Sequence, residues 1–524
     1  MLEEPGGMAV HSTNTGPGTQ NNNNAGRDQI YGGKVVNVGR ILVKNFTTSV
    51  YNRRYKTLWD SVAGVAASHT AKQQCSRGAC LEGTRVVALK SLDEWRNDKK
   101  DHPICWLSGA VGAGKSAIAM SVAKSCEEEG LLASSFFFFR SDPNRNNPSA
   151  LALSIAHGLV STIPFMRSPI ERRVSKDPGI LEAELDRQFH KLILEPTLER
   201  RWLRFFHESL LRRKVPTIII IDGLDECGDE KTQLGILSII RHAAQQSPHF
   251  PFRFMICSRP ESWIREAFAA DPLRQLTRWF SLDEHNADQD ILSYLRHEFE
   301  EISTSAKYSH VQFPSPWPSP NDLQFLVQQA SGQFVYITTA VKFIKQEFSH
   351  PIAQLQLILD RTQARRRTQT GSSRPGASPL HELDALYHVI LSANPHQEEV
   401  HSILTAILVL PPGATSPAYI EMLLGLRSGN VSLTLRAMYS VLDIRGRGDE
   451  IRLYHTSFRD FLVDQDRSHN FHIYIPTQTL IIAQKWLQAL TAMLTSSMAR
   501  KPGPSSQGGL TSAAVHFPNH PGIC

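Results

Sequence analysis

The sequence predicts an α/β domain, a parallel sheet with helices on both faces, followed by helical and winged-helix domains between disordered ends. Three observations predict it. Between residue 103 and about 265, short apolar runs alternate with stretches of helical spacing, the pattern of strands buried on both faces by crossover helices. The first such run, Ile104-Cys105-Trp106-Leu107, leads into Gly109-Ala110-Val111-Gly112-Ala113-Gly114-Lys115-Ser116 and then the helix-forming Ala117 to Lys124. After Leu282 the apolar spacing turns helical and ends in a hairpin pattern.

Strand, glycine-rich loop and helix are the context that makes G-x-x-x-x-G-K-S a phosphate-binding loop, and so make the first domain an α/β P-loop NTPase domain. Glycines let consecutive N–H groups curl around an anion, and the following helix aims its positive end at the same point. Lys115 reaches β- and γ-phosphates, Ser116 supplies a hydroxyl to Mg²⁺, and Ala117 continues the cradle. A chance match in a chain this long is roughly a one-in-fifty event, so an ordinary βα turn is the weaker reading.

Composition narrows the class. Lys and Arg number 56 against 50 Asp and Glu, a net charge of +6, and the basic residues are spread rather than striped, which argues against nucleic acid. The dense run Arg365-Arg366-Arg367, ahead of Gly371 and Pro375, reads as a solvated linker. Seven scattered cysteines suit a reducing compartment, and Cys75 and Cys80 lack a second ligand pair for zinc. With no signal pattern and no apolar run of membrane length, a soluble cytoplasmic protein without membrane partners is expected.

Taken in order, residues 1–46 form a low-complexity leader. Its β-prone stretch 28–43 reads as poorly ordered chain, with a two-strand ribbon or a pairing-prone edge segment as the alternative. Residues 47–99 are helical, with Tyr51 to Ala67 and then Val87, Leu89, Leu92 and Trp95 at helical spacing. The nucleotide domain spans 100–280, with strands at 104–108, 133–139, 216–221 and 252–257, a helix at 149–163, and Leu181, Leu185, Phe189 and Leu192 on one helical face. A helical domain and basic linker occupy 281–370, with helices at Asp288–Glu301 and Asn321–Phe348 joined by a proline-rich connector. The winged-helix domain is 371–475, with a helix at Glu382–Leu391 and a hairpin pairing Ser440–Asp443 with Ile451–His455. A helix at about 477–494 and a disordered tail fill 476–524.

Acids complete the candidate site. Thr217 to Glu226 delivers Asp222, Asp225 and Glu226 at the carboxyl end of a buried strand. Asp222 is the expected Mg²⁺ partner beside Ser116, and Asp225 and Glu226 can orient or deprotonate water; a solvated turn is the bland alternative. The fourth strand ends in Ser258-Arg259-Pro260, which puts Arg259 either near the γ-phosphate or on the surface.

These residues together resemble the NACHT domain of the signal-transducing STAND class of P-loop ATPases, and the wider arrangement is similar to NACHT proteins of mushroom-forming fungi. The likeness extends to Cys80-Leu81-Glu82-Gly83-Thr84-Arg85, to Gln188 through Pro196 and to His455 through Leu462, covering roughly residues 51 to 490. The resemblance implies a NOD-like-receptor switch that binds ATP or ADP with Mg²⁺, hydrolyses slowly, self-associates in the ATP state and signals to a protein effector. It also implies that His455 touches the ADP β-phosphate, where position alone suggests a core histidine. Two features depart from the family. Gly332-Gln333-Phe334-Val335 stands where relatives carry a proline against the adenine, and no internal period follows residue 490 where a repeat sensor belongs. A truncated regulator or decoy, and a turnover ATPase enzyme, are the alternative functions.

Overall fold

The computed structural model of the protein describes residues 29–31, 34–36, 58, 61–62, 65, 67–71, 78–98, 102–140, 142, 144–199, 216–246, 250–346, 349–368, 380–411 and 413–499. The leader up to residue 28, most of the helix expected over 51–67, and the tail from 500 lie outside them. Within 28–43, expected to be poorly ordered, the described residues 29–31 and 34–36 instead form the alternative ribbon, with Gln29 opposite Val36 in an antiparallel pair.

Five parallel strands form the main sheet: β1 (Ile104–Ser108), β2 (Leu132–Phe137), β3 (Ile218–Asp222), β4 (Arg253–Ser258) and β5 (Thr277–Ser281), in the order β2-β3-β4-β1-β5. Successive side chains of a strand point to opposite faces, and both faces are apolar here. Trp106, Phe136, Ile219, Ile221, Phe254 and Ile256 enter one core, and Cys105, Leu107, Phe137, Ile220, Met255 and Cys257 the other. That is why these segments read as near-continuous apolar runs, interrupted in β2 by the buried Ser134 and Ser135. β5 does not read so: it is an edge strand, Thr-Arg-Trp-Phe-Ser, with Trp279 46% exposed, and it went unpredicted.

Helices α1 (Val86–Asn97) and α2 (Lys115–Glu128) cover the second core; α3 (Leu151–Thr162), α4 (Pro164–Lys176), α5 (Leu185–Phe189, prolonged by a π turn over His190–Leu194) and α6 (Glu230–Gln245) cover the first. In α1 the buried residues are Ala88, Leu92 and Trp95; Val87, expected on the apolar face, points to solvent. The buried face of the first turn is set by Ala88 rather than Val87.

Beyond β5, one continuous apolar core runs from Ala287 to Ile482. It is built from α7 (Asp288–Thr304), α8 (Pro320–Ala330), α9 (Phe334–Ile344), α10 (Pro351–Thr368), α11 (His381–Ser392), α12 (Gln397–Val409), α13 (Pro417–Leu424), a hairpin, α14 (Thr456–Val463) and α15 (Ile475–Ala499). The hairpin strands, β6 (Leu442–Asp443) and β7 (Arg452–Leu453), are shorter than expected. Two expectations are corrected. The helix foreseen over 321–348 breaks after Ala330, because Ser331 (φ 46°) and Gly332 (φ 78°) adopt left-handed backbone and end α8. Arg365–Arg367 continue α10 rather than forming a linker; arginine favours helix, and no breaker occurs before Gly371. Among the described residues no helix is long and apolar enough to cross a membrane.

Candidate functional site

Three chain segments meet over the carboxyl ends of the strands and enclose a cavity of about 470 Å³, within the range of small-molecule sites. The phosphate loop forms its floor, the start of α9 one side, and the hairpin with the first turn of α14 the roof.

The loop owes its shape to two glycines. Gly112 (φ 73°) and Gly114 (φ 95°) lie in the left-handed region, where a Cβ is strained. At Gly112 space forbids it too: a Cβ would sit 2.1 Å from Val335 Cγ1. Val111, Gly112, Gly114, Lys115, Ser116 and Ala117 line the cavity. Gly109, Ala110 and Ala113 form the loop's back. The Gly109 and Ala110 carbonyls accept from Lys115 Nζ at 2.7 and 2.9 Å, the Ala110 N–H donates to Asp283 Oδ1 at 2.9 Å, and the Ala113 carbonyl accepts from Arg85 Nη2 at 2.7 Å. Burial lowers the Lys115 pKa; Asp225 and Asp222 oppose the shift, and Arg259 adds to it.

The acids arrive by a longer route than adjacency suggests. β3 does not neighbour β1; β4 lies between them, and the twisted sheet brings Asp222 to the same cavity. Asp222 is 1% exposed and, after burial itself, is the main influence raising the Cys257 thiol well above its usual range. Asp225 accepts the Arg259 backbone N–H at 2.9 Å on Oδ1 and pairs with Arg259 Nε at 3.1 Å on Oδ2. Its role here is to hold an arginine. Glu226 Oε2 accepts the Arg140 backbone N–H at 3.0 Å.

Arg259 spans the cavity. While its Nε holds Asp225, Nη2 donates to Thr456 Oγ1 at 3.1 Å and lies 3.4 Å from Asp460 Oδ2 on α14. Arg140 runs in parallel, with Nη2 donating to the Asp225 carbonyl at 3.0 Å and Nη1 3.4 Å from Asp460 Oδ1. His455 caps α14 in the roof. Its Nδ1 accepts the Ser457 N–H at 3.1 Å, and Ser457 Oγ lies 2.6 Å away. A backbone N–H can only donate, so the proton of the neutral ring sits on Nε2, which is a donor suited to an anionic oxygen.

Every sequence-predicted residue is therefore at the cavity or in the loop behind it. Missed were Arg140 and Asp283, which follow β2 and β5 at the strand ends where ligands gather. Arg85 and Asp460 stand in sequence motifs whose pattern alone assigns them no task. Arg85 sits under the loop with its guanidinium 4.8 Å from the Phe334 ring centre and 4.0 Å from Asp290. The segment without a proline, Gly332–Val335, is indeed at the site: Phe334 and Val335 line the cavity, and the Val335 N–H reaches the Gly112 carbonyl at 3.3 Å.

A bound nucleotide and Mg²⁺ fit this donor set. Backbone amides, Lys115 and His455 suit phosphate oxygens. Ser116 with Asp222 suits Mg²⁺, which keeps several waters and takes only one or two carboxylates, so the lack of a cluster of three metal-binding side chains among the described residues is no obstacle.

The family described as Nephrocystin 3, N-terminal, matches residues 83–259, about a third of the chain, beginning within the Gly83-Thr84-Arg85 motif and ending on Arg259. No curated protein sequence matches. Among solved structures, the chain is similar to a Walker-type ATPase of Pyrococcus abyssi (13% identity, TM-score 0.31, covering 71% of this chain and 93% of that one). A STAND protein with a tetratricopeptide repeat sensor from Pyrococcus horikoshii matches at 14% identity and TM-score 0.41, over 81% of this chain but only 46% of that one. The ORC2 protein of Aeropyrum pernix, in ADPNP–ADP complexes, matches at 12% identity and TM-score 0.29, over 79% and 96%. With scores this low, the fold assignment rests on the strand order and the phosphate loop: this is a P-loop NTPase sheet with a helical C-terminal region.

Proposed function

We propose that this chain is a nucleotide-operated switch of the STAND type, a NACHT-like relative of NOD-like receptors that binds ATP or ADP with Mg²⁺ and hydrolyses slowly. The supporting observation is Arg259, which joins Asp225 on the nucleotide domain to Thr456 and Asp460 on the C-terminal unit across the cavity. Anything bound on the phosphate loop lies under a roof tied down by that residue. Mg²⁺ bound by Ser116 and Asp222 would neutralise phosphate charge. Lys115 and the loop amides hold the phosphates, Glu226 orients water, and His455 donates from Nε2. Arg259 has two possible partners, the roof acids and the terminal phosphate, so nucleotide state shifts the balance of closed and open forms by differential affinity. The open form would self-associate and engage a protein effector in the cytoplasm, in non-self recognition or programmed cell death.

Nucleotide content tests this. Protein purified under native conditions and then denatured should release near-stoichiometric ADP, and Lys115→Ala should release none. Wild-type protein that carries no nucleotide and binds none in titration would end the proposal.

A further inference from the structure

The cavity has a second cationic edge, on α9. Along α9, Val335, Thr338, Thr339 and Lys342 all line it, the i, i+3, i+4, i+7 spacing of one helical stripe. The Val335 end of the stripe rests on Gly112. Seven residues on, about 10 Å along the axis, Lys342 Nζ lies 3.2 Å from the centre of the Tyr454 ring, next to His455 in the roof. Lys342 makes no ion pair among the described residues; Asp443 acts on it only at a distance, and burial lowers its pKa to about 8.

Also lining the cavity, just ahead of the hairpin strand β6, is Ser440, 1% exposed, whose Oγ has no hydrogen-bond partner among the described residues. A partly desolvated ammonium facing only a ring, and a buried hydroxyl facing no acceptor, are each costly. One ligand class relieves both: an anionic group with several oxygens. A metal ion is disfavoured by the ammonium, and a purine face gives Ser440 no acceptor of comparable strength.

We propose that Lys342 and Ser440 bind the phosphate chain of a nucleoside di- or triphosphate held on the phosphate loop, with Tyr454 as the resting place of the lysine. This rests on the nucleotide reading above and extends it: the helical region contributes a phosphate-contacting cation of its own. Drawing Lys342 off Tyr454 would also loosen the hairpin from α9, so occupancy of the phosphate site would be felt between these two elements.

The test is equilibrium titration with a fluorescent ADP analogue, together with competition by inorganic pyrophosphate, on wild type, Lys342→Gln, Lys342→Arg and Ser440→Ala, each checked by ligand-free melting. Loss of one charged contact should weaken both ADP and pyrophosphate about tenfold in Lys342→Gln. Ser440→Ala should lose a few-fold, and Lys342→Arg should stay near wild type. Unchanged ADP affinity in Lys342→Gln overturns the proposal, and so does weakened ADP with unchanged pyrophosphate, which would assign Lys342 to the sugar or base. If Lys342→Gln does not fold, Ser440→Ala and Lys342→Arg still decide: wild-type pyrophosphate binding in Ser440→Ala together with tenfold loss in Lys342→Arg contradicts it. Wild-type protein that binds neither ligand removes the nucleotide reading itself, a failure distinct from these.

Discussion

The two walls of the cavity are held in place by different physics. The floor grows out of β1, β3 and β4, whose side chains are buried in apolar cores on both sides of the sheet. Each such residue contributes roughly 1.5–3 kcal/mol, so the strands that carry the phosphate loop are anchored on both sides. The roof meets the floor through Arg259 and Arg140 on Asp460 and Thr456, and the α9 side meets it through Val335 on Gly112. Asp460 is 24% exposed, Arg259 15% and Arg140 37%, and both contacts are 3.4 Å long; partly exposed pairs of that length are worth on the order of 1 kcal/mol, small beside the cores under the floor. One wall is fixed and the other is lightly fastened. That asymmetry suits a device in which a ligand, bound on the fixed wall, decides where the other wall rests.

Substitutions can break or sharpen the comparison. Lys115→Ala strikes the fixed wall and should have the largest effect: ADP affinity falls at least about a hundredfold, while melting of the nucleotide-stripped protein shifts only by the loss of the two hydrogen bonds to the Gly109 and Ala110 carbonyls, because the cores stay intact. Gly112→Ala should follow. It combines left-handed strain with a collision against Val335, costing about 2 kcal/mol or more. Gly114→Ala has the strain but open space around the new Cβ, so it should cost only about 1 kcal/mol. Equal melting losses at the two glycines would mean that Val335 does not press on the loop in solution. Asp460→Ala strikes the lightly fastened wall: denaturant midpoints should shift by less than about 1 kcal/mol, while protease cutting between the nucleotide domain and the C-terminal unit accelerates.

The smallest effect concerns pH. Burial lowers the Lys342 pKa from 10.5 to about 8, so between those values the unfolded chain holds a proton that the folded chain has released. Stability from this group therefore rises with pH across that window, and the full penalty applies below it. Asp443 and Tyr454 face it, and the Tyr454 pKa is itself raised, first by burial and then by Asp443. The wild-type gain in urea midpoint between pH 7.5 and 9.5 should exceed that of Lys342→Gln; equal gains would show that Lys342 is not desolvated.

Much of the floor was legible in the sequence, because apolar strands buried on both sides and a glycine-rich loop are local signals. β1 is matched to the residue, and the other predicted strands to within about two residues at either end. The roof was legible only in part. His455 and the 455–462 stretch were visible as a motif, but no local pattern reveals that Asp460 reaches Arg259, some 200 positions earlier in the chain, or that Lys342 rests on Tyr454. The break at Ser331-Gly332 was missed because apolar spacing continues through it, although the glycine that ends α8 and swings Val335 onto the loop was in plain view. β5 escaped for the opposite reason: an edge strand needs no unbroken apolar run.

The most direct test compares the hydrodynamic size of the wild-type chain saturated with ADP and with a non-hydrolysable ATP analogue, on one column at one protein concentration, with Lys115→Ala as the unliganded reference. A lightly fastened roof over a fixed floor should give a compact species with ADP and a larger or self-associated one with the analogue. Identical elution with both ligands demonstrably bound would contradict it.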